Sequence, residues 1–262
     1  MPEFIDLHLH LLPGVDDGPR TDQEAIELAR ELVSQGVARC AVTPHFNAWN
    51  PNGLTNRAEV EDAVARLTEL LQSNDVTLEV LPGAEHFLTP ELILEIERGD
   101  APTLGGGPYI LVELPFDNRP LYADDLLRQL TLRSLRPVLA HPARYRWVQS
   151  NPDALLPWIE DGILLQMTAG SIAGRYGPRV RQTAEYILGR GWYSLPGSDA
   201  HHPGQGRSLR AMFQSIWQLA GDTVAQILLL ENPALALSGE SLIPVPPFQV
   251  EERGQRRFRL FG

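Results

Sequence analysis

The sequence of 262 residues contains no lysine and one cysteine, Cys40. A single thiol excludes an internal disulfide framework and is typical of a reducing compartment, so we expect a cytoplasmic protein. No apolar run reaches the length of a membrane-spanning helix, and no basic segment followed by an apolar block begins the chain, so we expect neither membrane insertion nor a signal peptide. The net charge of −11 argues against a nucleic-acid partner.

Strand-like and helix-like segments alternate along most of the chain. Seven apolar strand-like segments are predicted, each followed by a segment with helical periodicity: 3–9, 37–43, 76–81, 109–114, 137–140, 162–168 and 192–196. Such βα units predict a parallel sheet covered by helices, either as a barrel or as an open doubly wound sheet. No glycine-rich dinucleotide fingerprint follows the first strand, and this favours the α/β barrel.

The domain organisation predicted from composition is simple. Residues 1–239 carry the alternating pattern and are predicted to form a single domain. Residues 240–262 are rich in proline and arginine, and we interpret them as a tail outside the barrel. The oligomeric state is left open by the sequence.

Six of the seven histidines lie at or just beyond the C-terminal end of a predicted strand. His8 and His10 are two residues apart, so a strand directs both to one face, and Asp16 and Asp17 follow in the next loop. Histidine and acidic residues also occur at five other strand ends: His45; Glu85 and His86; Glu113; His141; and Asp199, His201 and His202. Because active sites of such barrels lie at this face, the pattern predicts a metal site there.

The candidate ligands are all imidazoles and carboxylates, which suit zinc, manganese or iron better than an all-oxygen magnesium site. There are more of them than one tetrahedral ion needs, so two or three ions are expected. Such clusters activate water and clamp the oxygens of a phosphoryl group. Arg144 and Arg207 follow His141 and His201 in loops on the same face, and their guanidinium forks suit phosphate oxygens. His86 and His202 are expected outside the ligand set.

Several segments together carry a resemblance to a known family. They read IDLHLHLLPGVDDG, VTPH, LPGAEH, ILVELPF, LAHPARY, LQMTAGSIAGRYG and GSDAHHPGQGR. Over residues 4 to about 237 the sequence resembles the PHP (polymerase and histidinol phosphatase) superfamily, and within it the bacterial manganese-dependent tyrosine-protein phosphatases of capsular and exopolysaccharide loci. The resemblance implies a distorted seven-stranded (β/α) barrel with three divalent ions, manganese first and iron or zinc as alternatives.

Residue roles also follow from the resemblance. It implies three groups of metal ligands: His8, His10, Glu85 and Asp199; Glu85, Glu113 and His141; and Asp17, His45 and His201. Arg144 and Arg207 would orient the phosphate, and a metal-bridging hydroxide would attack phosphorus directly. One departure concerns Ala143, where the family usually has Glu, and it bears on how Arg144 is oriented or how the substrate peptide is held.

The leading functional hypothesis is hydrolysis of phosphotyrosine in a protein substrate, an autophosphorylated bacterial tyrosine kinase that governs polysaccharide synthesis or export. The alternatives are a phosphoesterase for a small phosphorylated metabolite and a regulatory module without turnover, which would be expected to have lost ligands. Cysteine-dependent phosphatase chemistry is disfavoured, because Phe46 stands six positions after Cys40 where such enzymes need arginine. No clear general acid is indicated.

Overall fold

The structure is a computed structural model that describes residues 3–46 and 53–249. These residues contain short parallel strands with the following bounds: β1 Phe4–Leu9, β2 Val37–Val42, β3 His45–Phe46, β4 Glu79–Leu81, β5 Glu85–Phe87, β6 Tyr109–Glu113, β7 Arg136–Leu139, β8 Leu164–Thr168 and β9 Tyr193–Gly197. Their order is β1-β2-β4 in one sheet and β3-β5-β6-β7-β8-β9 in the other.

The two sheets form one distorted barrel with seven strand positions. β2 and β3 are consecutive parts of one position, separated only by Thr43 and Pro44, and β4 and β5 are separated only by residues 82–84. Pro44 has no N–H to donate to a neighbouring strand, which explains the break between β2 and β3. β9 returns to β1, because Asp199 donates its N–H to the His8 carbonyl at 2.7 Å. The predicted barrel is confirmed, whereas the two interruptions were not anticipated.

Helices cover the outside of the barrel. Their bounds are α1 Asp22–Ser34, α2 Arg57–Gln72, α3 Pro90–Arg98, α4 Ala123–Leu132, α5 Arg146–Ser150, α6 Leu156–Glu160, α7 Ala169–Ile172, α8 Pro178–Gly189, α9 Leu209–Ala220, α10 Asp222–Gln226 and α11 Asn232–Leu237. A π-helical turn over Ile227–Glu231 joins the last two. The four- to six-residue helices α5, α7 and α11 are too short to show a period in the sequence. Within the described ranges, no helix is long and apolar enough to cross a membrane.

β1 explains how polar site residues come to lie deep in the molecule. All six of its residues are buried, because neighbouring strands and outer helices cover both faces of a parallel barrel strand. His8 lies within this strand and His10 directly after it, and both are fully buried. Their imidazoles therefore need partners inside the protein.

The described part of the predicted tail, residues 240–249, has no helix or strand but contacts the outside of the barrel. The buried amide of Asn232 donates to the carbonyl oxygens of Ser194 and Ile243 at 3.0 and 2.9 Å and accepts the Ile243 N–H at 2.8 Å. Phe248 donates its N–H to the Gly189 carbonyl at 2.8 Å. The boundary at residue 239 stays a prediction, and residues 250–262 lie outside the described residues.

Replacing Asn232 by alanine is expected to lower the free energy of unfolding by about 2 kcal/mol, because it leaves buried backbone groups without hydrogen-bond partners. Equilibrium unfolding in urea measures this change. Gln226→Ala is the matched control, since the Gln226 amide bonds only to the exposed Asp222 side chain in the described structure. Equal losses in both variants would contradict the role given to Asn232.

Candidate metal centre

The predicted site residues meet at the C-terminal ends of the strands, around a cavity of about 380 Å³. Seven of the nine predicted ligands and both predicted arginines line this cavity. His8 and His10 are fully buried and contact the lining carboxylate of Glu85 from below. The barrel therefore brings together residues as far apart in the chain as His8 and Arg207.

The carboxylate of Glu85 occupies the middle of the cluster. It is 1% exposed and lies 3.2 Å from Nε2 of His8, 3.4 Å from Nε2 of His10, 3.3 Å from Nδ1 of His45 and 2.9 Å from Nε2 of His141. Burial alone would raise the pKa of this carboxyl group. The surrounding imidazoles outweigh burial and hold the pKa of Glu85 well below its usual value.

Hydrogen bonds from the far side of two imidazoles orient them toward Glu85. Nδ1 of His10 lies 2.6 Å from the Asp16 carboxylate, and Nδ1 of His8 lies 3.2 Å from the side-chain oxygen of Gln166. With Nδ1–H donating, Nε2 of each neutral ring keeps a lone pair that is available to a metal ion. Neither Nε2 has a hydrogen-bond partner among the residues described. Buried, unpartnered imidazole nitrogens beside a carboxylate suit metal coordination.

Three groups of side chains have potential ligand atoms within 4.8 Å of one another: His10, Asp17, His45 and His201; His8, His10 and Glu85; and His45, Glu85 and Glu113. The first group contains the three ligands predicted together, Asp17, His45 and His201, and adds His10. The second contains the predicted His8 group without Asp199, whose Oδ1 lies 3.7 Å from Nε2 of His8.

The third group differs from its predicted counterpart in one histidine. His45 lies 3.4 Å from Glu113 through Nδ1, where His141 was predicted. His141 contacts Glu85 at 2.9 Å but is 3.9 Å from Glu113. His45 thus contacts two groups, because its Nε2 also lies 3.6 Å from Asp17.

The electrostatics of the cluster favour bound cations. Burial lowers the pKa of His45, but the carboxylates of Glu113 and Glu85 outweigh it and raise that pKa to about 9. The pKa of Asp17 is held below its usual value, against the effect of burial, by His201, His10 and His45. Imidazole and carboxylate donors, unpartnered Nε2 atoms and this anionic field fit more than one divalent ion.

Asp199 connects the metal cluster to the two arginines. Its Oδ2 accepts from NH1 of Arg144 at 3.1 Å and lies 3.3 Å from NH1 of Arg207, whereas its Oδ1 faces His8. Asp199 and His141 have φ values of +55° and +35°. This left-handed backbone is costly for residues with a side chain, and such strain concentrates at functional sites.

Two aromatic side chains to which the sequence analysis assigned no role stand beside Arg144. The Arg144 Cζ lies 4.6 Å from the ring centroid of Phe116 and 4.6 Å from that of Tyr176. Gln166 was missed as well, although an amide in a buried strand is a detectable signal. Tyr176 lies in a loop after α7, where neither periodicity nor a strand end marks it.

Three side chains near the site are not part of the candidate ligand groups. His86 is fully buried, its Nε2 lies 2.7 Å from the Pro102 carbonyl, and burial lowers its pKa to about 4. His202 is partly exposed at the rim of the cavity. Cys40 is buried in β2, and burial raises the pKa of its thiol, which disfavours a thiolate nucleophile.

Comparison with known proteins finds a matching family model and similar sequences. The model of the family "Capsular polysaccharide synthesis, CpsB/CapC" matches residues 4–238. Tyrosine-protein phosphatase YwqE of Bacillus subtilis is 33% identical over 99% of both chains. Putative tyrosine-protein phosphatase CapC of Staphylococcus aureus is 30% identical over 76% of this chain and 77% of that protein.

A crystal structure extends this similarity to three dimensions. It comes from work on YwqE of Bacillus subtilis and CpsB of Streptococcus pneumoniae, described as metal-dependent tyrosine phosphatases. It superposes with a TM-score of 0.87 at 32% identity and covers 95% of this chain and 100% of the other.

Replacing Glu85 by glutamine is expected to reduce the number of divalent ions bound per chain, because two of the three groups of candidate ligands lose a shared anionic oxygen. Elemental analysis after equilibration with manganese measures the stoichiometry. Glu79→Gln, an exposed position on the preceding strand β4, is the control and should bind as the unmodified chain does. Full manganese binding by Glu85→Gln would contradict this assignment.

Proposed function

The chain belongs to the CpsB/CapC family of capsular polysaccharide synthesis and is a metal-dependent tyrosine-protein phosphatase, and we propose that its substrate is a phosphorylated tyrosine kinase of the polysaccharide pathway. The observation that carries the proposal is the cluster at Glu85. Imidazoles and carboxylates from six strand positions surround one cavity, together with two arginines. The family description, which refers to capsule synthesis, supports the choice of substrate.

The ligand set that we propose is the one implied by the resemblance. Three ions would be held by nine residues: His8, His10, Asp17, His45, Glu85, Glu113, His141, Asp199 and His201. Manganese is the expected metal, with iron or zinc as alternatives. When bound, such ions supply Lewis-acid stabilisation of phosphoryl oxygens and lower the pKa of water. The proximity of the donor atoms supports this assignment, as does their N and O chemistry.

The two arginines are proposed to bind the phosphate. Arg144 and Arg207 are 25% and 17% exposed, and both line the cavity. Their NH1 groups converge on Oδ2 of Asp199, so each fork is anchored at one end. Such donors stabilise negative charge on transferring phosphoryl oxygens without reorganising during the reaction.

The charges of the site bear on which leaving group it can release, a phenol or an aliphatic alcohol. The pKa values of Glu85, Asp17 and Asp199 are all lowered, against the effect of burial, by neighbouring cationic side chains. These carboxylates are therefore poor proton donors near neutral pH. A phenol with a pKa of about 10 departs far more easily than an aliphatic alcohol. Hydrolysis of phosphotyrosine thus needs less help from a proton donor than hydrolysis of an aliphatic metabolite ester, and this supports phosphotyrosine as the substrate.

Removing the metal is expected to abolish hydrolysis of p-nitrophenyl phosphate and of a phosphotyrosyl peptide from a kinase tail. Activity is measured after exhaustive chelation and again after adding manganese, iron or zinc one at a time. Manganese is expected to restore turnover best. Full activity in the chelated protein would refute the proposed mechanism.

Arg207→Ala is expected to lower kcat/KM for the peptide on the order of 10²-fold, because it removes a charged donor to the phosphoryl oxygens. Manganese content is measured in parallel and should not change. Arg128→Ala, an exposed arginine on α4, is the control. Kinetics equal to those of the unmodified chain would remove Arg207 from the mechanism.

A further inference from the structure

Phe116 and Tyr176 both pack against the guanidinium of Arg144, and we refer to these three side chains as the aromatic bracket. Each ring centroid lies 4.6 Å from Cζ of Arg144. We propose that Phe116 and Tyr176 are positioning residues, which hold Arg144 in the orientation that binds phosphate. The choice of phosphotyrosine as substrate rests on the proposed function, but the bracket's effect on phosphate binding can be measured without it.

The bracket limits what Arg144 can do. A guanidinium is planar, and a free arginine side chain samples many rotamers. In the bracket Cζ lies 4.6 Å from the centroid of each of two rings, and NH1 is bonded to Oδ2 of Asp199 at 3.1 Å. The side chain nevertheless lines the cavity and is 25% exposed. Part of the side chain therefore remains accessible from the cavity, where its N–H groups can bind phosphate oxygens.

Tyr176 is itself fixed from two further sides. A Cβ added at Gly170 would lie only 2.7 to 2.9 Å from atoms at the far end of the Tyr176 ring, so the ring packs directly on the glycine backbone. The Tyr176 hydroxyl donates to Oδ2 of Asp199 at 3.3 Å. Tyr176 thus contacts the same carboxylate oxygen that anchors Arg144.

Phe116 completes the bracket from the cavity side. Its ring lies 5.5 Å from that of His141 at an interplanar angle of 28°, and 5.8 Å from that of Tyr145. It lines the cavity and is 38% exposed. The contacts with His141 and Tyr145 therefore hold the Phe116 ring in the cavity wall, beside Arg144.

The test measures binding of inorganic phosphate to the manganese-loaded full chain by titration calorimetry. Tyr176→Leu and Phe116→Leu are each expected to weaken phosphate binding about tenfold, because each removes one ring from the guanidinium. Tyr176→Phe keeps the ring and should bind within about twofold of the unmodified chain. Tyr186→Leu is the matched control, because it removes a ring 5.0 Å from Arg190, outside the residues that line the cavity.

A double-mutant cycle separates positioning from general packing. In an Arg144→Ala background, Tyr176→Leu should cause no further loss of phosphate affinity, because the side chain that it positions is already gone. Gly170→Ala gives a second route to the same test. The added methyl group must displace the far end of the Tyr176 ring, so it should weaken phosphate binding in the same direction while leaving Tyr176 in place.

Three results would overturn the proposal. One is an equal loss from Tyr176→Leu with and without Arg144. Another is unchanged phosphate affinity in both Tyr176→Leu and Gly170→Ala. The third is a loss in Tyr176→Phe as large as in Tyr176→Leu, which would assign the effect to the hydroxyl contact with Asp199. Intact coupling together with no hydrolysis of phosphotyrosyl peptides would count against the proposed function alone.

Discussion

The contact of one buried carboxylate, that of Glu85, with four imidazoles is the interaction on which the whole site depends. An isolated buried carboxylate is strongly disfavoured, so Glu85 is tolerated only where cationic or metal-bound partners surround it. Those partners come from β1 and β3 and from the segments after β1 and β7, and they converge only when the barrel is closed. The candidate metal centre therefore depends on closure of the barrel.

Asp199 extends this dependence to the substrate side. One of its oxygens faces the imidazole of His8, and the other anchors Arg144 and Arg207. Its own position depends on the joint between β9 and β1, because its N–H bonds to the His8 carbonyl. A change at that joint is thus transmitted both to the metal ligands and to the phosphate-binding arginines.

The sequence predicted the seven strand positions and where the candidate ligands lie, because the ends of parallel strands are determined locally and always meet at one face. It did not predict that His45 approaches Glu113 more closely than His141 does, since this depends on side-chain rotamers. Tyr176 was missed for a related reason: a loop residue is placed by tertiary packing. Ala143 is fully buried, and the Arg144 guanidinium contacts Asp199, Phe116 and Tyr176.

The central claim is that Glu85 is shared by the bound ions of a three-metal site. X-ray diffraction from crystals of the manganese-loaded chain, collected at the manganese absorption edge, tests it most directly because anomalous scattering locates each ion. The account predicts three anomalous peaks at the cavity, two of them coordinated by the Glu85 carboxylate. A single peak, or peaks that Glu85 does not contact, would contradict it.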